Sequence, residues 1–257
     1  MLSFTRHSSE SAIRHKPLVI VHGLYGSGRN WGVISRRLAD TREVIAVDMR
    51  NHGHSPRFPT NSYPDMAGDL AEVIHEIGAP ADVLGHSMGG KAAMVLALTQ
   101  PDLVHRLIVA DIAPVDYLHN QATNALAMKG LDLMGLTSRA EADTRLAKAI
   151  HDPALRAFFL QSLDIRAEGG PRWWLNLDVL IREMPKIIGW PDITGRFDRP
   201  ALFLRGSRSD YLLPEHHKYI QELFPQAEFA TIENAGHWLH AEQPQAFEES
   251  VRRFLDS

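Results

Sequence analysis

Six short apolar segments recur along the chain, and they constrain its fold more than any other feature of the sequence. They occupy residues 17–22, 43–48, 81–85, 106–111, 200–205 and 228–232. Each segment is rich in Val, Ile, Leu or Phe and is flanked by Gly, Pro, Asp or Asn. Nearly continuous apolar character over this length is typical of strands that are buried on both faces of a parallel sheet.

Helical patterns separate these segments. The predicted helices cover residues 30–39, 63–77, 87–99, 214–224 and 244–255. Alternation of strands and helices predicts an α/β fold, in which helices flank a mostly parallel sheet. Residues 2–6 and 11–15 are predicted to form an antiparallel hairpin at the edge, so that we expect a sheet of eight strands.

One long segment, residues 114–191, departs from this alternation. It contains no strand-like run, only helical patterns at 122–133, 138–150 and 153–163. We interpret it as a helical insertion between two strands of a single domain, whose core is formed by residues 1–113 and 192–257.

Composition excludes several classes of function. The 257 residues carry a formal net charge of −4, whereas proteins that bind nucleic acid present a basic surface. No apolar run reaches the roughly 18 residues of a membrane span, and the polar N-terminus lacks the features of a signal peptide. The absence of cysteine excludes disulfides, thiolate metal sites and cysteine nucleophiles. We therefore expect a cytoplasmic protein.

The motif Gly85-His-Ser-Met-Gly89 follows one predicted strand directly and opens the next helix. It matches the G-x-S-x-G pattern, in which a sharp strand-to-helix turn exposes a nucleophilic serine. Glycines are needed on either side because side chains would collide in such a turn. We predict that Ser87 is the nucleophile, and that the Met88 amide faces the negative charge that develops during attack.

A second glycine-containing loop, His22-Gly-Leu-Tyr-Gly26, follows the strand at 17–22. We predict that the Leu24 amide joins the Met88 amide in a two-donor oxyanion hole. The alternative is a loop that binds a nucleotide phosphate. Its glycine spacing is G-x-x-G-x-G rather than G-x-G-x-x-G, which argues against that alternative.

His237 lies in the loop that follows the last predicted strand. A serine needs a neighbouring base, and loops after parallel strands share the edge of the sheet where ligands bind. We predict that His237 is this base. The histidine pairs 52/54, 216/217 and 237/240 could suggest metal ligands, but no third ligand converges on any of them in the sequence, so we expect no metal site.

Two aspartates are candidates for the acid that orients His237. Asp111 ends the strand at 106–111, and Asp210 lies in the loop after the strand at 200–205. Both follow strands at the correct edge, and both keep the chain order Ser, Asp, His. Spacing does not choose between them.

The sequence resembles the α/β-hydrolase superfamily and, within it, the small esterases of the bacterial YbfF type and their mitochondrial relatives. Five stretches carry the resemblance, at residues 22–31, 48–56, 85–94, 109–114 and 235–241. The Arg50-Asn-His-Gly53 and Asp111-Ile-Ala-Pro114 sequences are its more selective parts.

This resemblance implies the α/β-hydrolase fold, esterase activity on short acyl esters, and no cofactor. Acyl-CoA thioesters are a further substrate class that it makes plausible. It implies that residues 114–191 form a cap over the serine. Some members of this type use the aspartate that matches Asp111, whereas most of the superfamily uses the position of Asp210, so both candidates remain with a slight preference for Asp111.

We therefore predict a serine carboxylesterase that acts on a small-molecule ester or thioester, as a monomer or homodimer. The apolar residues Trp173, Trp174 and Leu175 are candidates for lining an acyl pocket, with packing of the cap onto the core as the alternative. Two other functions would suit the same fold. One is carbon–carbon bond hydrolysis, lyase or perhydrolase chemistry, and the other is a non-catalytic ligand-binding receptor.

Overall fold

The computed structural model describes residues 1–8, 15–78, 80–118 and 121–257. Its strands are β1 Phe4–His7, β2 Leu18–Val21, β3 Val44–Val47, β4 Ala81–His86, β5 Val104–Ala110, β6 Leu163–Asp164, β7 Arg172–Trp173, β8 Ala201–Gly206 and β9 Ala227–Ile232. Its α-helices are α1 Gly32–Leu38, α2 Tyr63–Ile77, α3 Met88–Thr99, α4 Ala122–Lys129, α5 Arg139–Leu146, α6 Pro153–Leu160, α7 Leu177–Arg182, α8 Met184–Ile188, α9 His217–Leu223, α10 Leu239–Glu242 and α11 Pro244–Leu255. Short 3₁₀ turns precede α1 and α9.

A single large sheet organises the molecule. Its strand order is β1-β3-β2-β4-β5-β8-β9, with β1 antiparallel and every other pair parallel. The α/β prediction is confirmed, but the described residues give this sheet seven strands where eight were expected. The second strand of the predicted hairpin, at 11–15, lies outside the described residues except for His15.

Both faces of the sheet are covered. In β2, Val19 and Val21 join one apolar cluster, whereas Leu18 and Ile20 join another on the opposite face. Alternate side chains of a strand point to opposite faces, so a strand whose residues are all buried must be packed on both. Helices α2 and α3 cover the first face, and α1 and α11 cover the second.

The described residues between β5 and β8 form five helices, α4 to α8. They also form the two-stranded antiparallel pair of β6 and β7, which the sequence pattern missed. The expectation of no strand in this segment was therefore wrong in that detail, because two-residue strands are too short to leave a periodic signal. We call residues 114–191 the helical insertion.

Two glycines allow β4 and α3 to meet at a sharp angle. A Cβ on Gly85 would lie 2.3 Å from the Gly89 carbonyl oxygen, and a Cβ on Gly89 would lie 2.4 Å from that of Val21. Both obstacles are backbone atoms, which cannot move aside as the end of a flexible side chain can.

Replacing Gly85 with alanine is expected to lower the free energy of unfolding by about 3 kcal/mol or more, because the added methyl forces the strand and helix apart. Gly68→Ala is the matched control. Gly68 lies in α2 with no atom within 4 Å of its would-be Cβ, so alanine should raise stability there by about 0.5–1 kcal/mol. Urea denaturation of both variants measures the contrast, and equal effects would contradict it.

Candidate active site

Ser87 occupies the turn between β4 and α3, with φ 53° and ψ −120°. A non-glycine residue rarely adopts positive φ, and such strain persists only where the surroundings impose it. Here the surroundings are the close backbone contacts of Gly85 and Gly89, and a bond from the Ser87 amide to the Ala110 carbonyl of 3.1 Å. The hydroxyl is thereby presented at the carboxyl edge of the sheet. The Met88 amide opens α3, where amides lack partners within the helix.

The loop after β2 packs directly against this turn. A Cβ on Gly23 would lie 3.2 Å from the Ser87 Cβ and 2.9 Å from the His86 Nδ1 atom. The loop is closed by a bond from the Gly26 amide to the Gly23 carbonyl of 3.0 Å, and Tyr25 has a positive φ of 66°. Leu24 and Met88 line the same cavity as Ser87.

Two buried histidines hold that loop in place. His22 donates from Nδ1 to the Gly23 carbonyl at 2.7 Å, and its Nε2 accepts from the Met49 amide at 2.9 Å. His52 donates from Nδ1 to the Arg50 carbonyl at 2.8 Å, and its Nε2 accepts from the Tyr25 amide at 3.1 Å. Because both rings accept a hydrogen bond, both are neutral.

Burial lowers the pKa of His22 to about 4 and that of His52 to about 3. Sequence reasoning considered His52 only as a partner of His54 in a metal pair and missed this role. This role of His52 depends on a long-range hydrogen bond from a backbone amide, and no local sequence motif reveals such a contact.

The loop after β9 brings His237 to the same cavity. His86, the residue before Ser87, donates from Nε2 to the His237 carbonyl at 2.8 Å. Gly206 at the end of β8 allows a close approach, since a Cβ there would lie 2.3 Å from the Gly236 carbonyl oxygen. The His237 ring stacks on Tyr211, with centroids 3.9 Å apart and planes 23° apart.

Asp111 meets the His237 ring. The Nδ1 atom of His237 lies 2.8 Å from Oδ2 of Asp111, and that carboxylate is fully buried. It also accepts bonds from the Gly206 amide at 3.0 Å and from the Ser209 hydroxyl. A histidine that donates from Nδ1 to a carboxylate presents Nε2 to the cavity as an acceptor.

The other candidate acid lies elsewhere. Asp210 is exposed, and its neighbour Ser209 is the residue of that loop that contacts the Asp111 carboxylate. Asp111 also has a positive φ of 54°, which turns its side chain at the end of β5 toward His237. Of the two alternatives that the sequence left open, the structure brings Asp111 to the imidazole.

The cavity in front of Ser87 has a volume of about 290 Å³. Its wall is largely apolar and aromatic, and the helical insertion contributes Tyr117, Leu155, Phe158, Phe159, Ile187 and Ile188 to it. Of the two alternatives for Trp173, Trp174 and Leu175, the structure shows packing, since none of the three lines this cavity. Trp173 is buried in the core, and Trp174 packs against His54 with ring centroids 4.5 Å apart.

Two other histidines of the pairs considered in the sequence have packing roles. His240 stacks on Trp31 with centroids 4.0 Å apart, and His217 stacks on Phe229 at 3.7 Å. Across the part of the chain that the structure describes, no group of three or more His, Asp or Glu side chains is placed to hold a metal ion. None of the described helices is long and apolar enough to cross a membrane.

Residues 18–250 match the family described as "Alpha/beta hydrolase family". The chain belongs to the alpha/beta hydrolase family. Esterase YbfF of Escherichia coli (strain K12) is 37% identical to this family member over 259 residues, which are 99% of each chain. The sn-1-specific diacylglycerol lipase ABHD11 of Mus musculus is 39% identical over 247 residues, 93% of this chain and 80% of the relative. The resemblance to YbfF-type esterases is thus confirmed.

Solved structures agree with this assignment. A marine microorganism esterase matches with a TM-score of 0.92 at 39% identity, covering 99% of both chains. E-2-(acetamidomethylene)succinate hydrolase matches with a TM-score of 0.78 at 20% identity, covering 100% of this chain and 95% of its own, and shares the fold alone. This alpha/beta hydrolase is therefore an enzyme of the hydrolase class, with relatives named esterase and lipase.

The neutral histidines make stability depend on pH. In the unfolded chain His52 binds a proton near pH 6.5, but in the folded protein it does so only near pH 3. As pH falls from 6.5 the unfolded state gains protons that the folded state does not, so the free energy of unfolding falls by about 1.4 kcal/mol per pH unit for each such histidine.

His52→Gln is expected to lower stability at pH 7 by about 1–3 kcal/mol, because the Tyr25 amide loses its acceptor. It should also flatten the pH dependence between about pH 4.5 and 6 by about 1.4 kcal/mol per unit. Denaturation series at several pH values measure both effects. His151→Gln, at an exposed position, is the matched control, and an unchanged slope in His52→Gln would refute the expectation.

Proposed function

We propose that the protein is a serine carboxylesterase in which Ser87 is the nucleophile, His237 the general base and Asp111 the acid that orients it. One observation carries the proposal most directly. The His237 Nδ1 atom lies 2.8 Å from a fully buried Asp111 carboxylate, while the ring shares a cavity with the strained Ser87. This pairing fixes the tautomer that accepts a proton at Nε2 and stabilises the imidazolium that forms.

The reaction proceeds in two halves. The ester carbonyl oxygen lies between the Leu24 and Met88 amides, His237 takes the Ser87 proton, and Ser87 attacks the carbonyl carbon. The alcohol or thiol leaves with the proton from His237, and the acyl group remains on Ser87. Water, activated by the same imidazole, then releases the carboxylic acid and restores the enzyme.

The hydrogen bonds around the acid support this assignment. The Gly206 amide and the Ser209 hydroxyl both donate to Asp111 and hold its carboxylate opposite the His237 ring. In this position the carboxylate stabilises the imidazolium that forms in both halves of the reaction.

The cavity supports short acyl chains as substrates. Its volume of about 290 Å³ lies at the small end of the range for ligand pockets, roughly 300–1,000 Å³. The helical insertion supplies much of its apolar wall, in keeping with a cap over the core formed by residues 1–113 and 192–257. Thioesters suit the same mechanism. A cytoplasmic location and a monomer or homodimer remain predictions.

Ser87→Ala is expected to reduce the hydrolysis of p-nitrophenyl butyrate by at least about 10⁴-fold, because no other group can form the acyl-enzyme. The same variant should fail to react with a fluorophosphonate probe. Ser250→Ala, on α11, is the control and should retain both properties. Activity retained by Ser87→Ala would disprove the proposal, and a wild-type protein that does not react with the probe would point to a ligand-binding receptor.

Asp111→Asn is expected to lower kcat by roughly 10⁴-fold, the effect of removing this carboxylate in a serine protease triad. Asp210→Asn is the paired control, and at an exposed position it should change kcat by less than about threefold. Steady-state kinetics of both variants decide the assignment. A large loss in Asp210→Asn alone would transfer the role of acid to Asp210.

A further inference from the structure

Lys91 is a buried lysine whose side chain the proposed reaction does not use. It lies in α3 one turn after Ser87, its amide donates to the Ser87 carbonyl at 3.0 Å, and its residue is 1% exposed. Taking an ammonium out of water costs several kcal/mol unless hydrogen bonds compensate. The partners of this ammonium therefore indicate what it does.

Across the described residues, the ammonium donates to backbone carbonyls of the helical insertion. The Nζ atom lies 2.7 Å from the Val115 oxygen, 3.0 Å from that of Ile188 and 2.6 Å from that of Gly189. An ammonium has three protons, and three acceptors use them all. Lys91 is thus occupied by the chain, with no proton left for a substrate carboxylate.

The three carbonyls come from opposite ends of the insertion. Val115 follows the point where the chain leaves the core after β5. Ile188 ends α8 and Gly189 follows it, shortly before the chain returns to β8. A bond of 3.0 Å from the Tyr117 amide to the Ile188 carbonyl joins the same two ends. Lys91 therefore fastens both ends of the insertion to the helix that carries the nucleophile.

The surroundings of the ammonium are also part of the cavity. The rings of Tyr117 and Tyr63 lie 4.7 Å and 5.7 Å from Nζ, and both tyrosines line the cavity together with Lys91 and Ile188. The Tyr117 hydroxyl donates to the Tyr211 carbonyl at 2.5 Å, and the Tyr211 ring stacks on His237. The hydrogen bonds of Lys91 to the two ends of the insertion, which we call the tether, thus fix the inner wall of the cavity.

Burial lowers the pKa of Lys91 to about 7, and the Asp116 carboxylate acts in the opposite direction. The fold keeps the lysine there in spite of this cost. An apolar side chain of similar length would fill the same space without the cost of burying a charge, since replacing buried charges by apolar residues is often neutral or stabilising. Retention of the amine is consistent with a positional role.

We propose that Lys91 is a positioning residue that ties both ends of the helical insertion to α3 and thereby determines which acyl groups the cavity accepts. This inference rests on the proposed esterase function. It assigns Lys91 no part in proton transfer or acyl transfer at Ser87.

Lys91→Met tests the proposal because it keeps most of the volume and removes all three donors. We expect kcat for p-nitrophenyl acetate to fall by a smaller factor than kcat/KM for the longer esters, because the substitution changes the cavity wall and leaves Ser87, His237 and Asp111 in place. The ratio of kcat/KM for butyrate to that for octanoate should fall by about tenfold, because a loosened wall discriminates less between chains. Most of this change should appear in KM. Lys129→Met, at an exposed position on α4, is the matched control.

Hydrogen exchange provides a readout that does not depend on activity. The Tyr117 amide bonds to Ile188 across the two ends, so its exchange should accelerate at least about tenfold in Lys91→Met. Lys91→Gln keeps amide donors on a shorter side chain and should give intermediate values, and it serves as the second variant if Lys91→Met does not fold.

An unchanged acyl preference with unchanged Tyr117 exchange would overturn the proposal. A parallel loss of kcat for every ester would also overturn it, by giving Lys91 a role in the chemistry. Failure of wild type to react with the fluorophosphonate probe would instead refute the esterase function, and the exchange experiment would then still report on the tether.

Discussion

Close backbone contacts of Gly85 and Gly89 flank Ser87, and the positions of the other groups of the proposed active site depend on them. Gly89 packs against the end of β2 and Gly85 packs against α3, so close that no side chain fits. The serine is therefore held at a positive φ with its hydroxyl above the sheet edge. Parallel strands place the loops after β2, β5, β8 and β9 at this same edge, which is why residues distant in sequence meet around it.

Neutral imidazoles hold the loop after β2 against the loop after β3, and this arrangement makes the protein less stable in acid. His22 and His52 each use one ring nitrogen as donor and the other as acceptor, which a protonated ring could not do. Burial keeps them unprotonated. Histidine suits this position because it offers a donor and an acceptor on a rigid ring, so that one side chain connects two backbone segments.

Much of the fold could be predicted from the sequence, because buried parallel strands leave continuous apolar runs. Helix α2 and helix α11 have the predicted boundaries, and Ser87 and His237 were located from motifs that follow strands. Spacing did not choose between Asp111 and Asp210, since the contact of Asp111 with His237 depends on the positive φ of Asp111 and on how the loop after β9 folds back. The wall of the cavity could not be assigned from the sequence, because apolar residues of a helical insertion face either the core or the ligand and composition does not distinguish the two.

The junction at Lys91 also bears on how such an insertion can change over evolution. Its two ends lie side by side, with the Tyr117 amide bonded to Ile188. The whole insertion therefore joins the core at one place, as a short surface loop would. Segments whose ends lie close together can be exchanged or lengthened without disturbing the domain that carries them. The residues between the two ends can therefore change in sequence and number over evolution, while the structure of the core beneath them stays the same.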